Sequence, residues 1–441
     1  MAISTRQILS LALPMAVEQF LIFGIALFDS ALAGQLGIEY IGAQLVIVRW
    51  VQFTSIIFSI MSVGGSILVA QAIGQDDMDN ANDTVVGSLT LSLVSGIFLT
   101  LLVLLISPIL VGLMGVEPGV KALGVPYLRL MALSFPLNFM LLSAGGCIRG
   151  AGDARTPLLV MSVANGFHAI LALLLVFNKD FGLNGLAIAT IISRGTGLAI
   201  MLVLLLRGIA HLRMYRWQPN IDAMREIVRV GSAIGGEQLA LRLGQLVNLR
   251  LITILGTQVL AAYTVVLNSL SIILMIGLGF MTASLTIVGQ QMGAEEQDRI
   301  HATGWRVITM AWVFMGGLAV LYFIWPAVTH LFSSDASVLN LAEMSLRIIV
   351  IGVPLEAINQ VLTGALRGAG DTRYPMYVTT FGHWLVRLPL IILFINVLDL
   401  RLNGIWFAMI IEMSVRALLN VLHFRHSFHA SRANVGVSNS I

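Results

Sequence analysis

The chain has 441 residues, of which 58% are hydrophobic and 11% charged, with a formal net charge of +3. Soluble domains carry about 25% charged residues, so this chain cannot cover a water-facing surface of its own size. Its single cysteine, Cys147, excludes an intramolecular disulfide and a cysteine-cluster metal site, and no basic run points to nucleic acid.

Apolar runs predict twelve spans at 9–33, 44–72, 84–106, 122–145, 157–178, 184–206, 230–254, 259–288, 305–326, 341–364, 376–397 and 404–424. Each is long enough as a helix to cross a hydrocarbon core of about 30 Å. Inside lipid the backbone must satisfy its own hydrogen bonds, which selects helices over open strands. The predicted class is all-α and polytopic. The opening "MAISTRQILSLALPM" runs straight into span 1, unlike a cleavable leader.

Span 1 carries Glu18 and Asp29, eleven residues apart. At about 100° per residue they return to nearly one face, about 16 Å apart along the axis. Two carboxylates on one stripe make a candidate proton route. Span 4 leads into "CIRGAGDARTPL" (147–158), and span 10 into "ALRGAGDTRYPM" (365–376). Glycines at 150, 152, 368 and 370 suit a tight turn, Asp153 and Asp371 are expected to pair with nearby arginines, and Pro157 and Pro375 fit a first helical turn. No strand precedes the motif and no Lys-Ser/Thr follows it, so it is not a phosphate loop.

The same echo extends over both halves at offsets of 218 or 219. "LRLMALSFPLN" (128–138) matches "LRIIVIGVPLE" (346–356), "GLNG" (182–185) matches "RLNG" (401–404), and Glu18-Gln19 falls on Glu237-Gln238. Six spans per half return the chain to its starting side, which predicts two parallel repeats about a central cleft, as alternating access requires. The expected organisation is an N-lobe at 1–206, a cytoplasmic linker at 207–226 and a C-lobe at 227–441. Arg6, Arg149, Arg155, Arg207, Arg213, Arg216, Arg225, Arg229, Arg299, Arg306, Arg367, Arg373, Arg425 and Arg432 fall on one side, and Lys121, Lys179 and Arg401 on the other. That bias places both termini in the cytoplasm of a bacterial-type membrane.

Ionisable groups inside spans are costly and mark function. Besides Glu18 and Asp29 these include Arg49, Arg194, Glu237, Arg242, Arg250, Glu356, His383, Arg387, Glu412 and Arg416. Glu412 and Arg416 are spaced to pair on one helix face. Arg242 and Arg250 are expected to balance Glu237 or Glu356. Across the repeat, Asp29 corresponds to Asn248 and Glu356 to Asn138. Pro14, Pro136, Pro354 and Pro389 interrupt spans 1, 4, 10 and 11 and predict kinks.

Twelve spans in two repeats, an RGAGDxRxP loop after spans 4 and 10, and "FDSALAGQLG" at the end of span 1 resemble the multidrug and toxic compound extrusion (MATE) family over essentially the whole chain. The resemblance implies a secondary antiporter that expels organic, often cationic, compounds against inward protons or sodium, with Asp29 as the span-1 aspartate and Glu356 as the span-10 acid. Two departures stand out. The span-7 glutamate of NorM-like members falls on Leu241, with Glu237 one turn earlier. The span-5 asparagine and aspartate of DinF-like members fall on His168 and Ala172.

The cation-coupling set is therefore Asp29, Glu18, Glu356 and Glu237, with protons as the coupling ion and no cofactor. Sodium held by Glu237 and Glu356 is the alternative. Asn138, Asn248, Tyr263, Met275, Phe280, Met281 and Gln360 are the substrate-contact candidates. The expected partners are small molecules and membrane lipids, with the chain acting as a monomer. A flippase or exporter of lipid-linked or anionic compounds on the same fold is kept open by the intramembrane arginines, whereas no convergent enzymatic set is present.

Overall fold

The computed structural model describes residues 3–177 and 181–438, with side chains described up to 428; Lys179 lies outside the described residues. Sixteen α-helices follow one another: α1 Thr5–Leu36, α2 Ile38–Gly74, α3 Met78–Gly112, α4 Pro118–Leu133, α5 Phe135–Gly150, α6 Arg155–Val176, α7 Asn184–Arg207, α8 Ile221–Thr253, α9 Thr257–Gly293, α10 Gln297–Ala311, α11 Gly317–Ile324, α12 Ala336–Ile349, α13 Val353–Gly368, α14 Arg373–Phe381, α15 Leu388–Asn396 and α16 Arg401–Ser438.

Four pairs among these are single spans with an interruption. α4 and α5 meet at Ser134 with a bend of 46°, and Pro136 opens α5. A 3₁₀ turn, Val350–Gly352, joins α12 to α13 directly before Pro354. π-helical turns join α10 to α11 at Trp312–Gly316 and α14 to α15 at Gly382–Arg387, the second just before Pro389. Pro14 differs, because α1 runs through it unbroken. The interruptions just before Pro136, Pro354 and Pro389 share a cause, a carbonyl one turn earlier left without its helical donor, whereas the π turn at Trp312–Gly316 contains no proline.

The twelve predicted spans are thus recovered as α1, α2, α3, α4–α5, α6, α7, α8, α9, α10–α11, α12–α13, α14–α15 and α16. Ten of the described helical segments are long and apolar enough on their own to cross a membrane, or eleven with the bent pair. The remaining one, α8, has 33 residues but carries Glu237, Arg242 and Arg250 within its length.

The contacts divide the chain into two units. One, the N-lobe, is Val17–Gly235, and the other, the C-lobe, is Met1–Ala16 together with Gly236–Ile441. The boundaries expected at 206 and 227 therefore move to 16/17 and 235/236, again 219 positions apart. The predicted linker explains part of the shift. Arg213 N donates to Asn82 Oδ1 at 2.8 Å and Asn220 Nδ2 to Asp83 Oδ2 at 2.8 Å, so 207–226 is tied to the start of α3 rather than spanning freely. α8 then begins inside the N-lobe and ends inside the C-lobe.

The duplicated motif resolves residue by residue. In the N-lobe, Asp153 N bonds to Ile148 O at 3.1 Å and Gly152 N to Arg149 O at 2.9 Å, with Gly152 at φ +97°. In the C-lobe, Asp371 N bonds to Leu366 O and Gly370 N to Arg367 O, both at 2.9 Å, with Gly370 at φ +96°. Both are Schellman endings, where a left-handed residue satisfies the last carbonyls. Gly150 and Gly368 have a different task. A Cβ on either would strike the backbone carbonyl of Ser66 or Leu285, so these glycines let α5 lie against α2, and α13 against α9, backbone to backbone. Among the described residues Asp153 forms no ion pair with an arginine side chain. It accepts from the N–H groups of Arg155 and Thr156 at 2.8 and 3.0 Å, capping α6. Asp371 accepts from Tyr374 N and faces His423 Nε2 at 2.8 Å.

Candidate functional site

The motif arginines are not loop residues. Arg149 and Arg367 sit in the last turns of α5 and α13, both buried. Arg149 Nη1 lies 3.1 Å from Glu18 Oε2, and Arg367 Nη2 lies 2.6 Å from Glu237 Oε2. The two ion pairs are the same interaction in each repeat, an arginine from the motif helix meeting a glutamate from the lobe's first helix. They belong to the helix interior and not to the cytoplasmic surface, so they leave the side-to-side tally of basic residues.

Asp29, in the C-terminal half of α1, meets a different group. Its Oδ1 lies 2.8 Å from His168 Nε2 on α6. Its side chain is 19% exposed, whereas that of Glu18 is 2% exposed. Ala172, one turn beyond His168, is fully buried in the apolar core of the lobe. Nearby, Arg194 of α7 donates to Asn165 Oδ1 at 3.3 Å and touches Met161 Sδ at 3.8 Å. A cavity of about 260 Å³ opens within the same lobe, lined among others by Tyr127, Asn138, Thr190 and Arg194.

In the C-lobe a chain of charges links α13, the second π turn and α16. Glu356 Oε2 lies 2.9 Å from Arg416 Nη2, Arg416 Nε lies 2.5 Å from Glu412 Oε1, and Arg387 Nη2 lies 2.6 Å from Glu412 Oε2. Two carboxylates and two guanidinium groups compensate one another. The predicted Glu412–Arg416 pair is present, and Glu237 and Glu356 form ion pairs with Arg367 and Arg416. Gln360 and Asn359 donate weakly to Glu356 at 3.4 and 3.5 Å, and Asn359 also bonds Met413 O at 3.1 Å. His383 packs its ring where a Cβ on Gly244 would lie.

The MatE family matches twice, over residues 14–174 and 233–393, with the offset that the echo between the halves shows. The chain belongs to the MatE family. The probable multidrug resistance protein NorM of Thermotoga maritima is 28% identical over 433 residues, covering 95% of this chain and 92% of its own. The uncharacterized transporter YisQ of Bacillus subtilis is 23% identical over 433 residues, covering 96% and 94%. Among solved structures, an outward-facing multidrug resistance MATE family transporter of the MOP superfamily superposes with a TM-score of 0.91 at 22% identity over 97% of this chain and 96% of its own. A Pyrococcus furiosus transporter of the same superfamily, described as having a binding pocket of reverse polarity, gives 0.89 at 21% over 96% of each chain. At these identities the structures speak to the fold alone.

Within this MatE fold the predicted coupling residues separate into two kinds. Among the described residues, Glu18, Glu237, Glu356 and Glu412 each meet a guanidinium group, and Asp29 alone of the intramembrane carboxylates meets an imidazole. A sodium ion bound by Glu237 or Glu356 would have to share its oxygens with Arg367 or Arg416, a poor donor set for a hard cation that wants several converging oxygens. Of the substrate candidates, Asn138 lines the N-lobe cavity. Asn248 donates to Tyr263 Oη at 3.1 Å, and Tyr263 stacks on Trp406 at 5.2 Å. Phe280 is fully buried against Phe314, a packing position. Met281 lies within 4.0 Å of Arg367 Nη1. Met275 is half-buried on α9, and Gln360 reaches Glu356. His168 is the site residue whose role the sequence did not disclose. Its place in span 5, where the resemblance led to an amide, was the available signal.

Proposed function

We propose that this MatE protein is a secondary antiporter of the cell membrane, with both termini cytoplasmic, that expels organic amphipathic compounds by alternating access, coupled to inward protons through Asp29. The observation that carries the reading is the Asp29–His168 contact at 2.8 Å. A carboxylate held by arginine stays ionised, because giving it a proton would strand a buried cation. One held by an imidazole has a partner that is itself able to take or give a proton, so protonation changes the contact without stranding a charge.

In this mechanism the ionised Asp29 accepts a hydrogen bond from His168 Nε2–H. Proton arrival on Asp29 removes the charge that strengthens this hydrogen bond and so loosens α1 from α6. Pro14, whose missing N–H weakens α1 from within, gives the helix a place to bend in response. The Glu18–Arg149 and Glu237–Arg367 pairs keep the motif helices fixed within their lobes. The multidrug resistance names carried by relatives such as the Thermotoga maritima protein support organic compounds as the cargo.

The test is efflux of a panel of amphipathic dyes of either charge from proteoliposomes, with proton and sodium gradients imposed separately. Proton-driven efflux that Asp29→Asn abolishes supports the reading. Sodium-driven efflux that survives Asp29→Asn overturns it.

A further inference from the structure

The N-lobe cavity has a wall of apolar groups, including Val51, Phe58 and Phe135, interrupted by a few polar ones. Arg194 is the single charged residue that lines it. The surroundings of this guanidinium set it apart. Arg149, Arg367, Arg387 and Arg416 each hold a carboxylate between 2.5 and 3.1 Å away. Arg194 holds an amide oxygen and a thioether through one nitrogen, Nη1. Asp29 and Glu18 attract it from farther off, but each is engaged, with His168 and with Arg149. A guanidinium carries five N–H donors in a planar fork that suits a carboxylate, and here, among the described residues, only Nη1 meets a protein acceptor.

The fold does not demand an arginine at this place. Across the repeat, Arg194 corresponds to Met413, which is buried in the C-lobe, so the equivalent helix packs with an apolar side chain. A cation inside a membrane span without a matched anion is costly to keep. Its counterpart in the second repeat shows that the architecture stands without it.

We infer that the N-lobe cavity receives the carboxylate, or an equally compact anionic group, of an amphipathic compound, with Arg194 as the residue that selects it. This rests on the reading that the protein carries organic compounds. The apolar wall takes the body of the molecule, Arg194 takes the acid, and Asn138 and Thr190 supply neutral polar contacts. The rest of the molecule is free to be neutral or basic, so a zwitterion is admitted and a purely cationic dye is disfavoured. The cationic preference expected from the resemblance is narrowed accordingly.

Equilibrium dialysis on the full-length protein in lipid nanodiscs tests this with three probes that share one aromatic body: 2-naphthoate, 2-naphthamide and 2-naphthylmethylammonium. Wild type is expected to bind the naphthoate about tenfold or more tightly than the amide, the range of a hydrogen bond to a charged partner. Arg194→Gln should erase that preference, and Arg194→Lys should keep part of it. Equal binding of the three probes by wild type, or an undiminished preference in Arg194→Gln, overturns the inference. Should Arg194→Gln fail to fold, Asn138→Trp fills the cavity instead; loss of naphthoate binding supports the site, and full retention overturns it. Dialysis reads recognition without transport. A standing naphthoate preference beside a lack of gradient-driven efflux would sink the transport reading alone, whereas efflux without the preference would sink this one alone.

Discussion

Glu18 on α1 and Arg149 at the end of α5 are joined at 3.1 Å in a site where both side chains are more than nine-tenths buried. Glu237 and Arg367 repeat the relationship in the C-lobe at 2.6 Å. The arginine that looked like part of a surface turn is therefore a clamp between the first helix of a lobe and its motif helix.

That clamp predicts a particular pattern of losses. Removing one partner of a buried pair leaves an uncompensated charge and costs about 3–5 kcal/mol, while replacing both by apolar groups is often close to neutral. Glu18→Gln and Arg149→Met are each expected to lower the thermal midpoint in detergent, and the double variant to recover most of the loss. Additive losses in the double variant would mean that the two groups do not stabilise each other.

Gly150 and Gly368 should tolerate no side chain, since a Cβ there meets backbone rather than a movable group. Alanine at either position is expected to cut the yield of monodisperse protein severely. Gly166 provides the contrast. Nothing lies within 4 Å of a Cβ at that position, and alanine there should be neutral or stabilising by up to about 1 kcal/mol through helix propensity. Size-exclusion profiles and melting curves of the three variants decide the matter.

Asp29 and His168 are expected to act as one unit in transport. His168→Ala should slow proton-driven efflux by about tenfold or more, the usual contribution of a positioned proton-transfer partner being larger still. Adding it to Asp29→Asn should bring no further loss. A double variant distinctly worse than Asp29→Asn would show that His168 serves transport by a separate route.

Pro14→Ala is expected to slow efflux while leaving expression and melting temperature intact or raised, because alanine restores a helical hydrogen bond. Initial efflux rates at matched protein incorporation measure this. Unchanged rates would remove bending at Pro14 from the mechanism.

Much of the fold was legible beforehand, for a physical reason. Lipid permits so few backbone arrangements that an apolar run of sufficient length is already a helix, and α8 was read from its apolar run despite Glu237, Arg242 and Arg250 within it. The turn motif was placed correctly but its side chains were not. Arg149 and Arg367 stand beside glycines, which suggests exposed loop, yet the helix continues to Gly150 and Gly368 and carries both arginines inward. Nothing in a linear pattern states that a helix runs on past its apolar stretch, here from 145 to 150 and from 364 to 368. Glu18 and Glu237 were grouped with Asp29 because carboxylates in a span look alike until their partners are known. His168 was noted only as standing where the resemblance led to an amide, although the imidazole itself is what faces Asp29. Pairing across 139 positions, as between Asp29 and His168, is a three-dimensional fact that no local spacing encodes.

The division of α1 after Ala16 and of α8 after Gly235 bears on how such a chain can be taken apart. A cut in the segment between α7 and α8 looks like a clean separation of two repeats, but neither product would be whole. The front fragment keeps sixteen residues that complete the other body, and the rear fragment keeps the stretch from 221 to 235 that completes the front one. Two half-length polypeptides would have to exchange these ends before either was finished. A half expressed by itself therefore lacks residues that belong to its own unit and keeps residues that belong to the other.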